Sequence, residues 1–274
     1  MENTAKVTNA MSLVAASKMR RAQNAVLEGR PYSVKIQSLI ANMAAQPMDD
    51  ESGAQPLLAV RPVENATVLM ISPDRGLCGG LSANLIRVVG NFIQASEVPV
   101  QAVTVGRKGR DFMARTNQDL KATFTDLGET PLLVDTHAIS HMVIDSYCEG
   151  QTDEIYLAYT KYVSTMTQEP VIEKLLPIQP AELTSAESVG YIYEPGNLAV
   201  LQTLLPRYIE MQIYHAIIES IASEQSARMV AMRAATDNAN ELSGELTLVM
   251  NKLRQESITN ELLDLIGGAM ALEG

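Results

Sequence analysis

LAVLQTLLPRYIEMQIYHAIIESIASEQSARMVAMRAATDNANELSGELTLVMNKLRQESITNELLDLIGGAMAL, residues 198–272, carries no strong turn signal apart from Pro206. Within it Leu201, Leu205, Tyr208, Gln212, His215, Ile218, Ala222, Gln225, Met229, Met232, Ala235, Leu242, Leu246, Val249 and Leu253 follow an approximate 3–4 spacing, with polar interruptions. That period predicts one long helix. At 1.5 Å per residue it would reach roughly 110 Å, several times the diameter of a domain. So long a helix cannot bury its far end against its own domain and needs a partner helix. The other long helical pattern is residues 5–45, where Val7, Met11, Val14 and Met19 fall near one stripe. Ala10, Ala15, Ala16 and Ala22 beside it let two helices approach closely. The two ends of the chain are therefore expected to wind together as an antiparallel coiled coil. Gly29 and Pro31 are expected to bend or loosen the N-terminal helix before it resumes at Val34–Met43; Pro206 could kink the C-terminal one, which is expected to run on through it with a bend at most.

Between the helices the grammar changes. Asp49–Pro62, rich in Pro, Gly and acids, reads as a linker. Thr67–Ser72 and Val98–Val105 are β-branched runs separated by a helical stretch, Leu81–Ala95, which is the pattern of a βαβ unit and a parallel sheet. Lys108–Arg115 and Thr136–Glu149 read as further helices, Glu154–Tyr159 and Val171–Leu176 as further strands. The expected fold is α/β: an antiparallel coiled coil of the terminal helices (1–48 and 196–274) with a small Rossmann-like α/β domain (64–195) inserted between them.

The formal net charge of −11 argues against a general nucleic-acid-binding role. It is unevenly spread: Lys6, Lys18, Arg20, Arg21, Arg30 and Lys35 against Glu2 and Glu28 give residues 1–35 a net charge of +4. A basic start on an acidic chain points to a local acidic partner, or to a solvated helix face. Cys78 and Cys148 stand alone, outside any CxxC or Cys/His cluster, and fit a reducing compartment. His137 and His141 are spaced i, i+4 but lack the HExxH glutamate and a third ligand, so no metal site is expected. No apolar run approaches the roughly 18 residues that span a bilayer, and no signal peptide is visible.

Two motifs invite a chemical reading. Asp74-Arg75-Gly76-Leu77-Cys78-Gly79-Gly80 is a glycine-rich turn between strand and helix, where a phosphate could sit. It matches neither GxGxxG nor GxxxxGK[ST], and no acidic ribose ligand is identifiable, so a backbone-exposed turn presented to another protein is the better reading. Asp74 and Arg75 could pair with each other or cap the turn. Cys78 has no neighbouring His to activate it. Late in the long helix, Arg254, Gln255 and Thr259 can reach a partner's loop by hydrogen bonds, or form an ordinary solvated face. No catalytic residue and no cofactor-binding residue is expected.

Three stretches together resemble the gamma-subunit family of F-type ATP synthases. They are TNAMSLVAASKMR (Thr8–Arg20), DRGLCGG (Asp74–Gly80), and EQSARMVAMRAATDN (Glu224–Asn238) with RQESITNELLDLIGGAM (Arg254–Met270). Their order and separation match from end to end. The resemblance implies a central rotor shaft: a coiled coil inside a ring of three alpha and three beta subunits, with the α/β domain on the epsilon subunit and the membrane ring of c subunits. Proton or sodium flow would turn ring and shaft together, and the shaft would drive each beta subunit through its binding states. Catalysis would belong to beta.

Carried over by position, Arg254, Gln255 and Thr259 would contact a loop of the empty beta subunit. Met11 with Lys18, Arg20 and Arg21 would lie where the shaft passes the acidic lower lip of beta. Asp74, Arg75 and Cys78 would belong to a turn facing the same region, and Leu262–Leu272 would be the tip in an apolar sleeve. Relatives carry a further basic, helical start before the position of Asn3. The redox-active cysteine insert of the chloroplast type is missing between Val171 and Tyr193. The implied location is peripheral, at the cytoplasmic face of a bacterial plasma membrane. Two other classes remain to be distinguished, a stand-alone nucleotide-binding α/β enzyme and a generic coiled-coil scaffold.

Overall fold

The computed structural model describes residues 1–44, 55–179 and 196–273. Its centre is strand β1, Ala66–Ile71, whose six residues are all buried. A run of apolar residues without alternation is what a parallel strand covered on both faces requires. The sheet has the order β3-β2-β1-β4-β5. Strands β2 (Val100–Val105), β1 and β4 (Glu154–Tyr162) run parallel, as does β3 (Leu120–Phe124) beside β2. β5 (Gln168–Leu176) returns antiparallel along β4.

The period of two along β1 splits the core. Leu69 and Ile71 face one cluster with Val103, Val105, Ile155 and Leu157, while Val68 and Met70 face another with Ala102 and Ala158. Helices α2 (Leu81–Ala95) and α3 (Arg107–Arg115) cover the second face through Leu85, Val89 and Met113. The first face is closed by α4 (His137–Cys148) and by the two terminal helices, α1 (Glu2–Ala44) and α5 (Asn197–Glu273). Ile36, Ile40 and Met43 come from α1, and Leu201, Leu205, Ile209, Ile213 and Ile217 from α5. The coiled coil is thus rooted in the α/β core.

α5 is 77 residues long, roughly 115 Å. Thr8 on α1 lies opposite Thr236, their hydroxyls 2.7 Å apart, and Gly29 lies opposite His215. The helices are antiparallel, and this register carried back places Met1 beside Ser243. A Cβ at Gly29 would stand 2.3 Å from His215 Cε1, so the glycine admits the imidazole to the seam. Small residues keep the helices close, as at Ala22 against Ile218 and Ala222. Beyond the register every residue from Gly244 to Gly268 is exposed, and Leu246, Val249 and Leu253 continue the seam with none of the described residues covering them. This projecting segment, 244–273, is roughly 45 Å long.

Both helices run unbroken through their prolines: α1 is continuous across Pro31, where a break before Val34 was the expectation, and α5 survives Pro206 as expected. At Pro206 the reason is visible. Leu201, Leu205 and Ile209 are all 0% exposed. At about 1.5–3 kcal/mol each, their burial outweighs the roughly 3 kcal/mol a helix-interior proline costs. Leu81–Ala95 is found with the expected bounds, other boundaries move by at most three residues, and β3 adds a strand to those expected. Of the expected linker Asp49–Pro62, residues 49–54 lie outside the described set. The remainder is not loose: Pro56–Leu58 form a 3-10 turn whose Leu57 is buried in the core. Residues 45–48 and 180–195 of the expected segments are likewise outside the described set.

Tyr147 fastens that turn to α4. It is fully buried, its hydroxyl donates to Ala59 O at 2.8 Å, and the Arg61 guanidinium lies 4.6 Å from its ring centroid. Tyr147→Phe leaves the Ala59 carbonyl without this donor. It is expected to cost about 1 kcal/mol and lower the melting temperature by about 2–4 °C. An unchanged melting curve would show that the hydroxyl is not a net contributor.

Candidate partner-binding sites on the shaft and its collar

The turn after β1 is built by contacts from distant parts of the chain. Ser72 Oγ donates to Val105 O and accepts from Gly109 N, at 3.1 and 2.8 Å. Asp74 accepts from the backbone N–H of Arg107 at 3.0 Å and of Asp126 at 3.2 Å, so it caps α3 and pins the loop after β3. Arg107 closes the arrangement, its Nη2 donating to both carboxylate oxygens of Asp126 at 2.7 and 2.8 Å. That pairing holds the Asp126 carboxyl below the usual carboxylate range. Asp74 therefore pairs with neither Arg75 nor its own turn.

Leu77 at the tip has φ 64 and is 60% exposed. A leucine in the left-handed region is strained by about 1 kcal/mol or more, and the surrounding turn must hold it there. Cys78 next to it is turned inward, 2% exposed, with Sγ against Arg75 O and Ser82 Oγ.

Between this turn, α1, α5 and the loop after β3 lies an open groove of about 600 Å³. Met11, Val14 and Lys18 line it from α1, Asp74, Arg75 and Leu77 from the turn, and Glu224, Gln225 and Arg228 from α5. Its charges are largely paired within the chain. Lys18 ion-pairs with Glu129. Arg228 donates to Glu224 Oε1 at 2.6 Å and to Gly76 O at 3.2 Å. Burial raises the Glu224 pKa, and Arg228 opposes that shift. Arg75 is exposed at the mouth of the groove.

The structure thus brings Met11, Lys18, Asp74 and Arg75 together around one groove. Arg20 and Arg21 are exposed on α1 beside a separate shallow depression with Leu13, Ala16, Ser17 and Asn24. Arg254, Gln255 and Thr259 are all exposed on the projecting segment, roughly 40 Å up the helix from the groove. The Thr259 hydroxyl is turned back onto Gln255 O at 2.9 Å. Leu77, Glu129 and Arg228 escaped the sequence reading. An apolar residue in the middle of a glycine turn was the available signal for Leu77; the other two act across more than a hundred residues of sequence. The rings of His137 and His141 are 6.0 Å apart, and His137 lies 4.0 Å from Glu210. Among the described residues no cluster of three His, Cys, Asp or Glu could hold a metal, and no helix is long and apolar enough to cross a membrane.

A family model described as ATP synthase matches residues 1–272. The ATP synthase gamma chain of Dehalococcoides mccartyi strain CBDB1 is 57% identical over 272 residues, covering 99% of this chain and 95% of that one. The chain belongs to the ATP synthase gamma-chain family. The gamma chain of Roseiflexus sp. strain RS-1 is 46% identical, covering 99% of this chain and 94% of its own length. Members of the family are the central-stalk subunit of the F-type ATP synthase. The fold is shared with a chain of the Tetrahymena thermophila mitochondrial ATP synthase central stalk and c-ring, at TM-score 0.63 and 22% identity, over 84% of this chain and 99% of that one. A chain of the Euglena gracilis mitochondrial enzyme gives TM-score 0.59 at 18% identity, over 99% of this chain and 95% of that one. Family membership moves the groove and the projecting segment from solvent-facing surface to candidate subunit contacts.

Proposed function

We propose that the chain is the rotor shaft that couples ion flow through a membrane ring of c subunits to ATP synthesis at three beta subunits, and that it supplies no catalytic residue itself. The observation that carries the reading is the segment 244–268, exposed throughout, with an apolar seam that the described residues of its own chain leave uncovered. An isolated helix with Leu246, Leu248, Val249, Leu253, Leu262, Leu265 and Ile266 all at least half exposed fits a surrounding sleeve of other subunits, here three alpha and three beta. The α/β domain at the opposite end would seat on the epsilon subunit and the c ring. The chain would then be a peripheral subunit at the cytoplasmic face of a bacterial plasma membrane, held there through the complex.

A shaft drives three chemically identical sites apart only if its contacts with them differ at each angle. The coiled coil meets that condition. Its α1 side presents Leu13 and Leu27 outward with Arg20 and Arg21, whereas among the described residues its upper part is α5 alone. Arg254, Gln255 and Thr259 on that upper part would grip a loop of the empty beta subunit. Met11, Lys18, Arg20 and Arg21 with the turn Asp74, Arg75 and Cys78 would face the acidic lower lip of beta. Because Cys78 is buried, its share of that contact would pass through the turn's backbone and the exposed Leu77.

The deciding test is co-purification of the chain with an alpha–beta hexamer and observation of ATP-driven rotation of a probe on the α/β domain. Absence of a stable complex would sink the reading. Equilibrium dialysis of the isolated chain with ATP and NAD tests the runner-up, a stand-alone nucleotide-binding enzyme, which requires a tight site. Arg254→Ala with Gln255→Ala is expected to lower ATP-driven proton pumping more than ATP turnover, by roughly tenfold for about 1.5 kcal/mol of lost charge-assisted bonding. Normal pumping by the double variant would remove these two residues from the contact.

A further inference from the structure

Where α5 leaves the α/β domain, the character of its contacts changes. From Leu201 to Ile217 it lies on the sheet through an apolar row in steps of four, Leu201, Leu205, Ile209, Ile213 and Ile217, each at most 2% exposed. Such packing resists separation but has no directional preference, so the helix can turn or slide a little on it. From Glu219 upward the contacts are directional. The N–H of Tyr162 donates to Glu219 Oε1 at 3.3 Å. Ser223 Oγ donates to Thr160 O, and Ser226 Oγ to Thr165 O, each at 2.9 Å with both serines 0% exposed. On the other side Arg228 donates to Gly76 O in the β1–α2 turn, and α1 is tied to the loop after β3 by Lys18 and Glu129.

We propose that these links form a torsional collar, in which Ser223, Ser226 and Arg228 lock the shaft against twisting within the α/β domain. The proposal rests on the rotor reading above. It assigns positioning residues through which torque would pass from domain to shaft, distinct from the residues that would grip beta. Arg228 is the centre of the collar because its side chain is 12% exposed and its partner Glu224 16%, whereas Lys18 and Glu129 are 32% and 49% exposed. The α1 link is screened by water and holds weakly; Arg228, held by Glu224 on its own helix, carries a charge-assisted bond across to the Gly76 carbonyl at the exposed rim of the turn. Beyond Arg228 the domain still approaches α5 near Ala231, whose Cβ is 4.0 Å from the place a Cβ would take at Gly79.

The test uses the full chain assembled with an alpha–beta hexamer, with a rotation probe on Cys148. That thiol is exposed, whereas Cys78 is buried. The readout is the angular spread of the probe during a catalytic dwell. Arg228→Met with Ser226→Ala removes two of the five side-chain links made by Lys18, Glu219, Ser223, Ser226 and Arg228. Treated as independent and equal, their loss is expected to raise the angular variance by a factor of about 1.7. Arg228→Lys with Ser226→Ala, which keeps a cation but not the planar fork, is expected to give an intermediate spread and serves if the first variant does not assemble. A purely structural role would lower the melting temperature and leave the spread at its original value, and that result overturns the collar. If the unaltered chain itself does not rotate, the rotor reading fails instead.

Discussion

Gly106→Ala is expected to remove about 3–5 kcal/mol of folding stability, enough to unfold much of the α/β domain near physiological temperature. Gly106 has φ 94 and ψ 150, a region that L side chains rarely enter. A Cβ there would also stand 1.9 Å from the backbone oxygen of Ser72. Neither atom can yield cheaply. Ser72 is the first residue after β1 and its N–H is bonded to Val105 O, while Gly106 N donates to Phe124 O at 2.7 Å. The substitution therefore pushes three neighbouring strand ends apart. Urea denaturation of the full chain measures the loss.

Gly128→Ala is the control. Its φ is 84, yet an added Cβ meets nothing within 4 Å. It should cost only the left-handed penalty of about 1–2 kcal/mol. Equal losses at the two sites would show that backbone conformation, and not the clash with Ser72, governs the effect. The functional consequence follows from position. Asp74 and Arg107 flank the contact, so a displaced Ser72 also moves the turn that carries Arg75 and Leu77.

Residues whose partners lie within a helical turn or along a strand were legible in the sequence. The seam of α5 can be read from Leu201 to Leu253 because its period needs no knowledge of what covers it. β1 and β2 announce themselves by β-branched runs. β3 does not: Leu120–Phe124 is a five-residue edge strand with no fully buried residue, so its pattern LKATF lacks the apolar contrast that reveals a strand. The prolines show a related split. Their cost is local and can be read from sequence, whereas the burial that overrides it at Pro206 depends on the tertiary environment of Leu201, Leu205 and Ile209.

The candidate sites divide in the same way. Arg20, Arg21, Arg254 and Gln255 are exposed single-helix residues, and helical spacing alone places them outward. Asp74 was expected to pair with Arg75 or cap its own turn, but its bonds go to Arg107 and Asp126, 33 and 52 residues away. Lys18 was counted as free positive charge for a partner; in the chain it already has Glu129, 111 residues away. Sequence reading recovers which groups are polar and on which face they lie, and misses which have been used internally.

That distinction shapes the last expectation. Lys18→Glu, Arg20→Glu and Arg21→Glu together are expected to impair assembly with the alpha–beta hexamer by at least roughly tenfold at low salt, because attraction to an acidic lip becomes repulsion along one helix face. The three sites should not contribute equally. Arg20 and Arg21 are exposed and face outward, whereas Lys18 is committed to Glu129 with side chains 32% and 49% exposed. An exposed pair of that kind is worth under about 1 kcal/mol, so Lys18→Glu alone should disturb the link between α1 and the α/β domain only slightly. The isolated triple variant should melt close to the original chain, and Arg20→Glu with Arg21→Glu should reproduce most of the assembly defect. Screening supplies the discriminating measurement. The Debye length falls from about 30 Å at 0.01 M salt to about 3 Å at 1 M. A defect due to long-range charge should therefore shrink steeply as salt rises, while one due to misfolding should not. Unchanged assembly and ATP turnover at low salt, or a loss equal at every salt concentration, would reduce these arginines to solvated surface.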